Sequence, residues 1–171
     1  MEINKGDLES IYETLLKKVL NEIRIHFEKN LISVVLYGSM ARGEITKDSD
    51  IDLLIISDNL PKERSRRQEM FMEMEKELDK EIKKIYEKWG CYPYISPILK
   101  TKDDARNLSP LYLDMVTDAK ILYDKNDFFK NVLEKLRLEL KSLNARKITV
   151  GKKWYWDLKP DYKFGEVIKI G

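Results

Sequence analysis

Residues 31–56 read LISVVLYGSMARGEITKDSDIDLLII, and this stretch decides the fold. Leu31–Tyr37 is short, apolar and rich in β-branched residues, which predicts a buried strand. Gly38 and Ser39 then form a turn that starts a short helical segment, and a polar loop follows. Asp50–Ile56 is a second predicted strand, apolar except for its two carboxylates. The chain therefore turns between two buried strands, with its polar residues concentrated at the turn.

Apolar residues at helical spacing predict three long helices outside this segment, over residues 7–29, 61–88 and 128–143. Tyr92–Leu99 is a predicted third strand, and its two prolines place it at an edge of a sheet. Ser109 followed by proline indicates the start of a short helix that runs to about residue 118. A short strand over 120–123 is expected next, and Asp127 is the predicted N-cap of the last long helix.

The C-terminal tail differs from the rest of the chain. Lys147–Val150 and Trp154–Leu158 flank a Gly-Lys turn and predict a β-hairpin rich in aromatic and basic residues. Together the elements predict an α+β (mixed α/β) fold, in which a small mixed β-sheet is flanked by helices and followed by C-terminal helices and the hairpin. We expect residues 1–123 to form the main domain and residues 124–171 to pack on it.

Composition narrows the class of protein. The chain has 171 residues, enough for one ordinary domain, with 43% hydrophobic and 36% charged residues and a formal net charge of only +2. The near-neutral balance argues against a protein that coats nucleic acid. Cys91 is the single cysteine, which excludes an internal disulfide and a Cys/His zinc site. The polar N-terminus and the lack of a long apolar run indicate a cytoplasmic protein without a signal peptide or membrane helix.

The Gly38-Ser39 turn has the chemistry of a phosphate site. A strand that runs into a turn and a helix start presents free backbone N–H groups, and these groups attract phosphate. Glycine lets a phosphate approach the backbone closely. The hydroxyl of Ser39 adds a further donor. An ordinary structural turn is the alternative reading if these two residues are considered alone.

Asp50 and Asp52 have the chemistry of a metal site. Two residues apart on a strand, they point to the same face. Two buried carboxylates resist ionising together, and a divalent cation removes that penalty. Mg²⁺ takes oxygen ligands from one or two carboxylates, from water and from substrate phosphates. A phosphate cradle joined by a short loop to a carboxylate pair therefore predicts a site for a metal-bound nucleoside triphosphate.

The whole pattern is an apolar residue followed by Gly-Ser, a spacer of ten residues, and then Asp-apolar-Asp-apolar. It resembles the signature of the DNA polymerase beta nucleotidyltransferase superfamily. Leu36–Glu44 looks especially like the small prokaryotic and archaeal members, the minimal nucleotidyltransferases. The close match spans about residues 31–57, and the order of elements extends it to about Tyr123.

The resemblance implies the nucleotidyltransferase fold for residues 1–123. It also implies Mg²⁺- or Mn²⁺-dependent transfer of a nucleoside monophosphate from a nucleoside triphosphate, expected to be ATP, to a hydroxyl of a protein, an RNA or a small molecule. Carried over by position, Gly38 and Ser39 bind the nucleotide, and Asp50 and Asp52 are catalytic metal ligands. Arg42 is a further candidate for phosphate binding, with a simple ion pair to its neighbour Glu44 as an equal alternative.

One feature departs from the superfamily pattern. Many catalytic members carry a third carboxylate on the next strand, whereas Tyr92–Leu99 has none and Ser96 is its only small polar residue. This departure favours an alternative function, a catalytically degenerate nucleotide-binding or antitoxin-like protein-interaction module. Such a module would work beside a helical toxin-like partner, and a homo-oligomer is also open.

Two basic regions lie outside this pattern. Arg64, Arg66 and Arg67 cluster near the start of a helix, where a solvated face is favoured over an RNA or protein acceptor site. The tail is dense in aromatic and basic side chains, including Trp154 and Trp156. Packing of the tail is favoured over base stacking, although stacking of a base on such rings is physically possible. Nucleic acid is therefore a possible but not a favoured partner.

Overall fold

The computed structural model describes residues 3–151 and 153–168, and within them the chain forms a four-stranded sheet, a separate hairpin and seven α-helices. The helices are α1 (Lys5–Phe27), α2 (Gly38–Ala41), α3 (Arg64–Glu75), α4 (Asp79–Trp89), α5 (Lys102–Arg106), α6 (Pro110–Asp118) and α7 (Phe128–Ser142). The strands are β1 (Leu31–Tyr37), β2 (Ile51–Ser57), β3 (Ile95–Lys100), β4 (Lys120–Asp124), β5 (Arg146–Val150) and β6 (Lys153–Asp157).

The sheet is mixed, with the order β3-β2-β1-β4. β1 pairs antiparallel with β2 and β4, and β2 pairs parallel with β3. In this register Asp52 lies opposite Tyr37 on one side and Ser96 on the other. The predicted fold class, a small mixed sheet flanked by helices, is confirmed.

One face of the sheet packs against α1, α3 and α4. Asn4 caps α1 by accepting a hydrogen bond from the backbone N–H of Asp7 (2.9 Å). The buried side of this helix carries residues three or four apart, namely Leu8, Tyr12, Leu15, Val19, Ile23 and Phe27. These side chains meet Ile51, Leu53 and Ile55, the alternate residues of β2. The helical and strand periodicities in the sequence therefore converge on one core.

The opposite face packs against α5, α6 and α7. Leu54 and Ile56 of β2 enter this second core together with Tyr112 of α6 and Phe129 of α7, whose rings meet edge to face at 5.2 Å. Asp52 belongs to the same alternating set as Leu54 and Ile56, so it lies on this face at the start of the strand. The helix that passes over that point is α6.

Three predicted boundaries are wrong by a few residues. The helix expected over 61–88 is two helices, α3 and α4, joined by a 3₁₀ turn at Lys76–Leu78. The third strand begins at Ile95 and not at Tyr92, because Pro93 has no N–H to pair. β2 begins at Ile51, whose N–H donates to the carbonyl of Tyr94 (2.8 Å), so Asp50 precedes the strand.

The cap of α7 also differs from the prediction. Asp127 has a left-handed backbone (φ 53°) and makes no capping bond; its exposed carboxylate pairs with Lys130. Asp124 takes that role from the end of β4. Its carboxylate accepts hydrogen bonds from the backbone N–H groups of Phe129 and Lys130, both at 3.0 Å. The 3₁₀ turn at Lys125–Asp127 brings the earlier aspartate into reach of the helix start.

The outer edge of β3 is covered by side chains of α3. Gln68 Nε2 donates to the carbonyl of Pro97 (3.3 Å), and Arg67 Nη1 donates to the carbonyl of Leu99 (3.2 Å) and to Asp104 (2.7 Å). The Arg67 side chain is only 12% exposed. The predicted solvated face is therefore wrong for Arg67.

The C-terminal hairpin of β5 and β6 forms as predicted and packs against α6. No helix in the described ranges is long and apolar enough to cross a membrane.

Candidate active site

The turn after β1 depends on Gly38. Its φ of +72° lies in the left-handed region that glycine adopts without steric cost. A Cβ atom at this position would overlap the carboxylate of Asp52 and come within 3.0 Å of its Cγ. The backbone of the turn therefore lies directly against the Asp52 side chain, and only glycine allows this approach.

The loop between α2 and β2 is held by short-range polar contacts. The backbone N–H of Glu44 donates to the carbonyl of Ser39 (2.9 Å). The Ser49 hydroxyl accepts from the backbone N–H of Thr46 (2.8 Å) and lies 3.5 Å from the Ser39 hydroxyl. The hydroxyl of Tyr12 donates to the carbonyl of Ser49 (2.8 Å), which anchors the loop on α1. These contacts fix the position of Ser39 relative to the start of β2.

The two aspartates differ in burial. Asp50 is exposed immediately before β2, whereas Asp52 is partly buried between Tyr37 and Ser96. Burial, followed by the charge of Asp50, raises the pKa of Asp52, while a hydrogen bond from Ser96 acts in the opposite direction. Burial, followed by the charge of Asp52, raises the pKa of Tyr37 to about 12. The site therefore places the negative charge of exposed Asp50 beside the partly buried carboxylate of Asp52.

The donor set of this pair fits a hard divalent cation. Carboxylate oxygens are the ligands that Mg²⁺ prefers, and a cation would offset the repulsion that raises the pKa of Asp52. No group of three or more His, Cys, Asp or Glu side chains suited to a metal occurs in the described part of the chain. An ion bound by Asp50 and Asp52 would complete its shell with water and substrate oxygens.

Arg42 links the turn to the hairpin. Its Nε donates to the Glu44 carboxylate (2.8 Å), and its guanidinium lies over the ring of Trp154, 4.9 Å from the centroid. The Arg42 side chain is 23% exposed and its charge acts on Asp52 and Asp118. The ring holds the guanidinium close to the turn.

The hairpin is fastened to α6 by a compact polar cluster. The indole N–H groups of Trp154 and Trp156 both donate to Oδ1 of Asp114, at 2.9 and 3.1 Å. Lys147 Nζ pairs with Asp118 (2.8 Å) and lies over the Trp154 ring. Burial raises the pKa of Asp118, but the hydrogen bonds from Lys147 and Thr117 outweigh it, and the net pKa is lowered.

A cavity of about 190 Å³ lies between this cluster and the turn. Its walls include Tyr37, Gly38 and Arg42 from the turn, and Asp114 and Asp118 from α6. The space therefore opens directly onto the glycine that contacts Asp52, so a ligand there would touch both the turn and the helix.

Most of the predicted site residues meet at one corner of the sheet. The contacts given above join Gly38 to Asp52 and Ser39 to the loop that leads to Asp50, with Arg42 beside them. The sequence reasoning missed Asp114 and Asp118, and it assigned Trp154 to packing of the tail without foreseeing its contact with Arg42. The two aspartates are four residues apart, the spacing that places side chains on one face of a helix, and this was the signal available for them. The contact of Trp154 with Arg42 spans more than a hundred residues and has no local signal.

The fold and this corner place the chain in a known class. The nucleotidyltransferase domain family matches residues 16–123, from within α1 into β4. The chain belongs to this family and is a nucleotidyltransferase.

Two relatives and one solved structure are similar to it. A candidate protein adenylyltransferase of Methanocaldococcus jannaschii is 34% identical over 148 residues, which cover 85% of this chain and 95% of that protein. A second candidate protein adenylyltransferase of the same organism is 37% identical over 46 residues, 27% of this chain and 46% of that protein. A chain in a crystal structure of a toxin–antitoxin with AMP-PNP is 16% identical, with a TM-score of 0.48, over 75% of this chain and 92% of that one.

Proposed function

We propose that this nucleotidyltransferase transfers AMP from ATP to a hydroxyl group of a protein, with Mg²⁺ held by Asp50 and Asp52. The single observation that carries the proposal is the contact between Gly38 and the Asp52 carboxylate. This contact supports the proposal because one metal-bound triphosphate could reach both the backbone of the turn and the carboxylate.

Each residue of the corner has a role in this proposal. Gly38 exposes its backbone so that the triphosphate approaches closely, and Ser39 contributes its N–H and hydroxyl. Arg42, kept near the turn by Trp154, pairs with a phosphate oxygen and would exchange its present bond to Glu44 for that contact. Asp50 and Asp52 hold the cation, and Ser96 orients Asp52 through its hydrogen bond.

The proposed reaction is an in-line displacement at phosphorus. The acceptor hydroxyl oxygen bonds to the α-phosphorus, and the bond from that phosphorus to the oxygen bridging the β-phosphate breaks. Pyrophosphate leaves, and the hydroxyl proton passes to solvent. Bound Mg²⁺ supplies neutralising charge for the triphosphate and the leaving group. The protein orients both substrates at a corner where a partly buried carboxylate lies beside the turn.

The nature of the acceptor is proposed from the relative that matches most of this chain. That protein, similar over 85% of this chain, is named as a candidate protein adenylyltransferase. A protein hydroxyl is therefore favoured over the RNA and small-molecule acceptors that the sequence pattern leaves open.

The test uses ATP labelled at either the α- or the γ-phosphate, incubated with Mg²⁺, the purified protein and an extract of cells. We expect the α-label, but not the γ-label, to enter acid-precipitable protein, and ribonuclease treatment to leave it there. The Asp52→Asn variant should transfer no label and remain folded. Entry of the γ-label, loss of the signal with ribonuclease, or full activity of Asp52→Asn would contradict the proposal.

A second candidate function rests on Ser96. It occupies the place on β3 next to Asp52 where many superfamily members carry a third carboxylate. This favours a nucleotide-binding, antitoxin-like interaction module that acts with a helical partner protein or as a homo-oligomer. Under this alternative, Mg²⁺ and ATP would raise the melting temperature and the α-label would enter no protein.

A further inference from the structure

A second, larger cavity of about 670 Å³ lies against the outer edge of β3. It begins at Pro97, one residue after Ser96, which lies opposite Asp52 in the sheet. Adjacent strands are about 4.8 Å apart and a residue advances about 3.3 Å along a strand. This end of the cavity therefore lies close to the corner formed by Gly38 and Asp52. Leu111 lines both this cavity and the smaller one beside Arg42.

The lining of this cavity carries an excess of positive charge. Lys62, Arg64 and Lys100 contribute to it, and within the described residues no carboxylate lies within 4 Å of their charged groups. Among the described residues of the lining, Asp104 is the one that is acidic, and it already accepts hydrogen bonds from Arg67 and Thr101. In the described part of the chain, none of the three cations therefore forms an ion pair, and Asp104 is the carboxylate nearest in effect, acting on Lys100.

Lys100 is the most constrained of the three. Its Nζ lies 4.7 Å from the ring centroid of Tyr112, which is fully buried beneath it. Burial lowers the pKa of Lys100; the charge of Asp104 opposes this shift, and the smaller effect of Arg64 adds to it. An anion in the cavity would offset both the burial and the repulsion.

The rest of the lining distinguishes a peptide from a nucleic acid. Apolar side chains also line this cavity, including Ile98, Leu108, Pro110 and Leu111, and among the described residues of the lining there is no aromatic ring. Proteins that bind single-stranded nucleic acid stack bases on aromatic side chains. A cavity that offers both aliphatic surface and cations instead complements a polypeptide that carries both apolar and acidic residues.

We propose that this cavity binds an acidic segment of the acceptor protein and so presents a nearby hydroxyl of that segment to the Gly38–Asp52 corner. The inference rests on the proposed function, because it assigns the substrate class of the same enzyme. Carboxylates of the segment would lie against Lys62, Arg64 and Lys100, and its apolar side chains against the aliphatic wall.

The test measures binding of a fluorescent glutamate–tyrosine copolymer by anisotropy at low and moderate salt. Lys62→Glu/Arg64→Glu reverses two exposed charges of the cavity. Lys125→Glu/Lys135→Glu is the matched control, because it reverses two exposed charges at a different basic cavity. We expect the dissociation constant to rise at least about 10-fold in the first double variant and less than about 2-fold in the control. A lysine–tyrosine copolymer should not bind the wild type.

Three results would overturn the inference: no binding of the acidic copolymer to the wild type, equal weakening in both double variants, or binding of an RNA oligonucleotide at this cavity in preference to the copolymer. The proposed function is tested apart from it by the rise in melting temperature with Mg²⁺ and ATP. Lys62→Glu/Arg64→Glu should keep that rise, and Asp52→Asn should lose it while still binding the copolymer. Copolymer binding without any nucleotide effect in the wild type would refute the proposed function alone.

Discussion

The Gly38–Asp52 corner and the β5–β6 hairpin meet through Arg42, which follows the turn and contacts Trp154, but they are built differently. At the corner, the left-handed backbone of Gly38 and the register of β2 leave no room for a side chain at residue 38. At the hairpin, one face of α6 receives two indole N–H groups and an ammonium group, all on exposed or partly exposed side chains. Backbone geometry defines the first region and side-chain contacts define the second. We therefore expect substitutions to abolish function at the corner and to reduce it by degrees at the hairpin.

Gly38→Ala should have the largest effect. The new methyl group would overlap the Asp52 carboxylate, and φ of +72° is itself unfavourable for alanine. We expect nucleotidyl transfer and the Mg²⁺–ATP-dependent rise in melting temperature to be lost, with about 1–3 kcal/mol of stability. Gly43→Ala is the control, because Gly43 also has a positive φ (74°) but no heavy atom lies within 4 Å of its added Cβ. It should lose about 1 kcal/mol and keep the nucleotide effect. Equal loss of function in both variants would mean that backbone strain, and not contact with Asp52, matters.

Asp52→Asn comes next. The change removes a charged ligand but keeps the size of the side chain, so we expect transfer to fall by at least about 100-fold. Because burial and Asp50 raise the pKa of Asp52, its ionised form opposes folding, and the variant should be as stable as the wild type or more so near neutral pH without metal. Steady-state transfer and thermal unfolding measure the two effects. Asp48→Asn, an exposed residue of the same loop, should change neither. A variant that unfolds would point to a structural role for this carboxylate.

Trp154→Ala tests the hairpin. Loss of the ring frees Arg42, and a cation–π contact of this partly exposed kind contributes about 0.5–1 kcal/mol. We expect the KM for ATP to rise about 3-fold while kcat changes little. Tyr155→Ala is the control, since Tyr155 is the next residue of the strand and is 55% exposed. If kcat fell and the KM for ATP stayed unchanged, Trp154 would act on the acceptor and not through Arg42.

Asp118→Asn should have the smallest effect, and one that depends on pH. The pKa of Asp118 is lowered in the folded protein, chiefly by Lys147 against the effect of burial. Its contribution to stability is therefore present above the unfolded pKa of 3.8 and lost as the pH falls through the lower folded value. We expect the variant to lose about 1 kcal/mol at pH 7 and progressively less as the pH falls below 3.8, as measured by chemical denaturation. A difference that stays constant over this pH range would show that the Lys147 ion pair is not its source.

The secondary structure could be predicted from the sequence wherever it depends on residues that are close in the chain. The two central strands, α1, α6, α7 and the hairpin follow from residue spacing and turn residues, and their bounds agree with the structure to within a few residues. The proposed nucleotide site could likewise be predicted, because Gly38, Ser39, Asp50 and Asp52 lie close in the chain and carry a distinctive pattern.

The remaining features depend on contacts between distant residues. Arg67 looked like a solvated helix residue, and its burial follows only from the placement of β3 and Asp104 beside α3. The contact between Trp154 and Arg42 forms only because the hairpin packs on α6. The cap of α7 passed from Asp127 to Asp124 because of a single 3₁₀ turn. None of these contacts produces a periodicity or a residue spacing from which it could be predicted.

The side chains that cover β3 have a consequence for the behaviour of the protein at high concentration. An exposed strand edge is a template on which another chain can add, which leads to aggregation or domain swapping. Here the carbonyls of Pro97 and Leu99 are already occupied by Gln68 and Arg67, and Pro97 has no N–H to offer. These contacts therefore oppose edge-to-edge self-association at this part of β3, and an Arg67→Met variant should form β-rich aggregates more readily than the wild type.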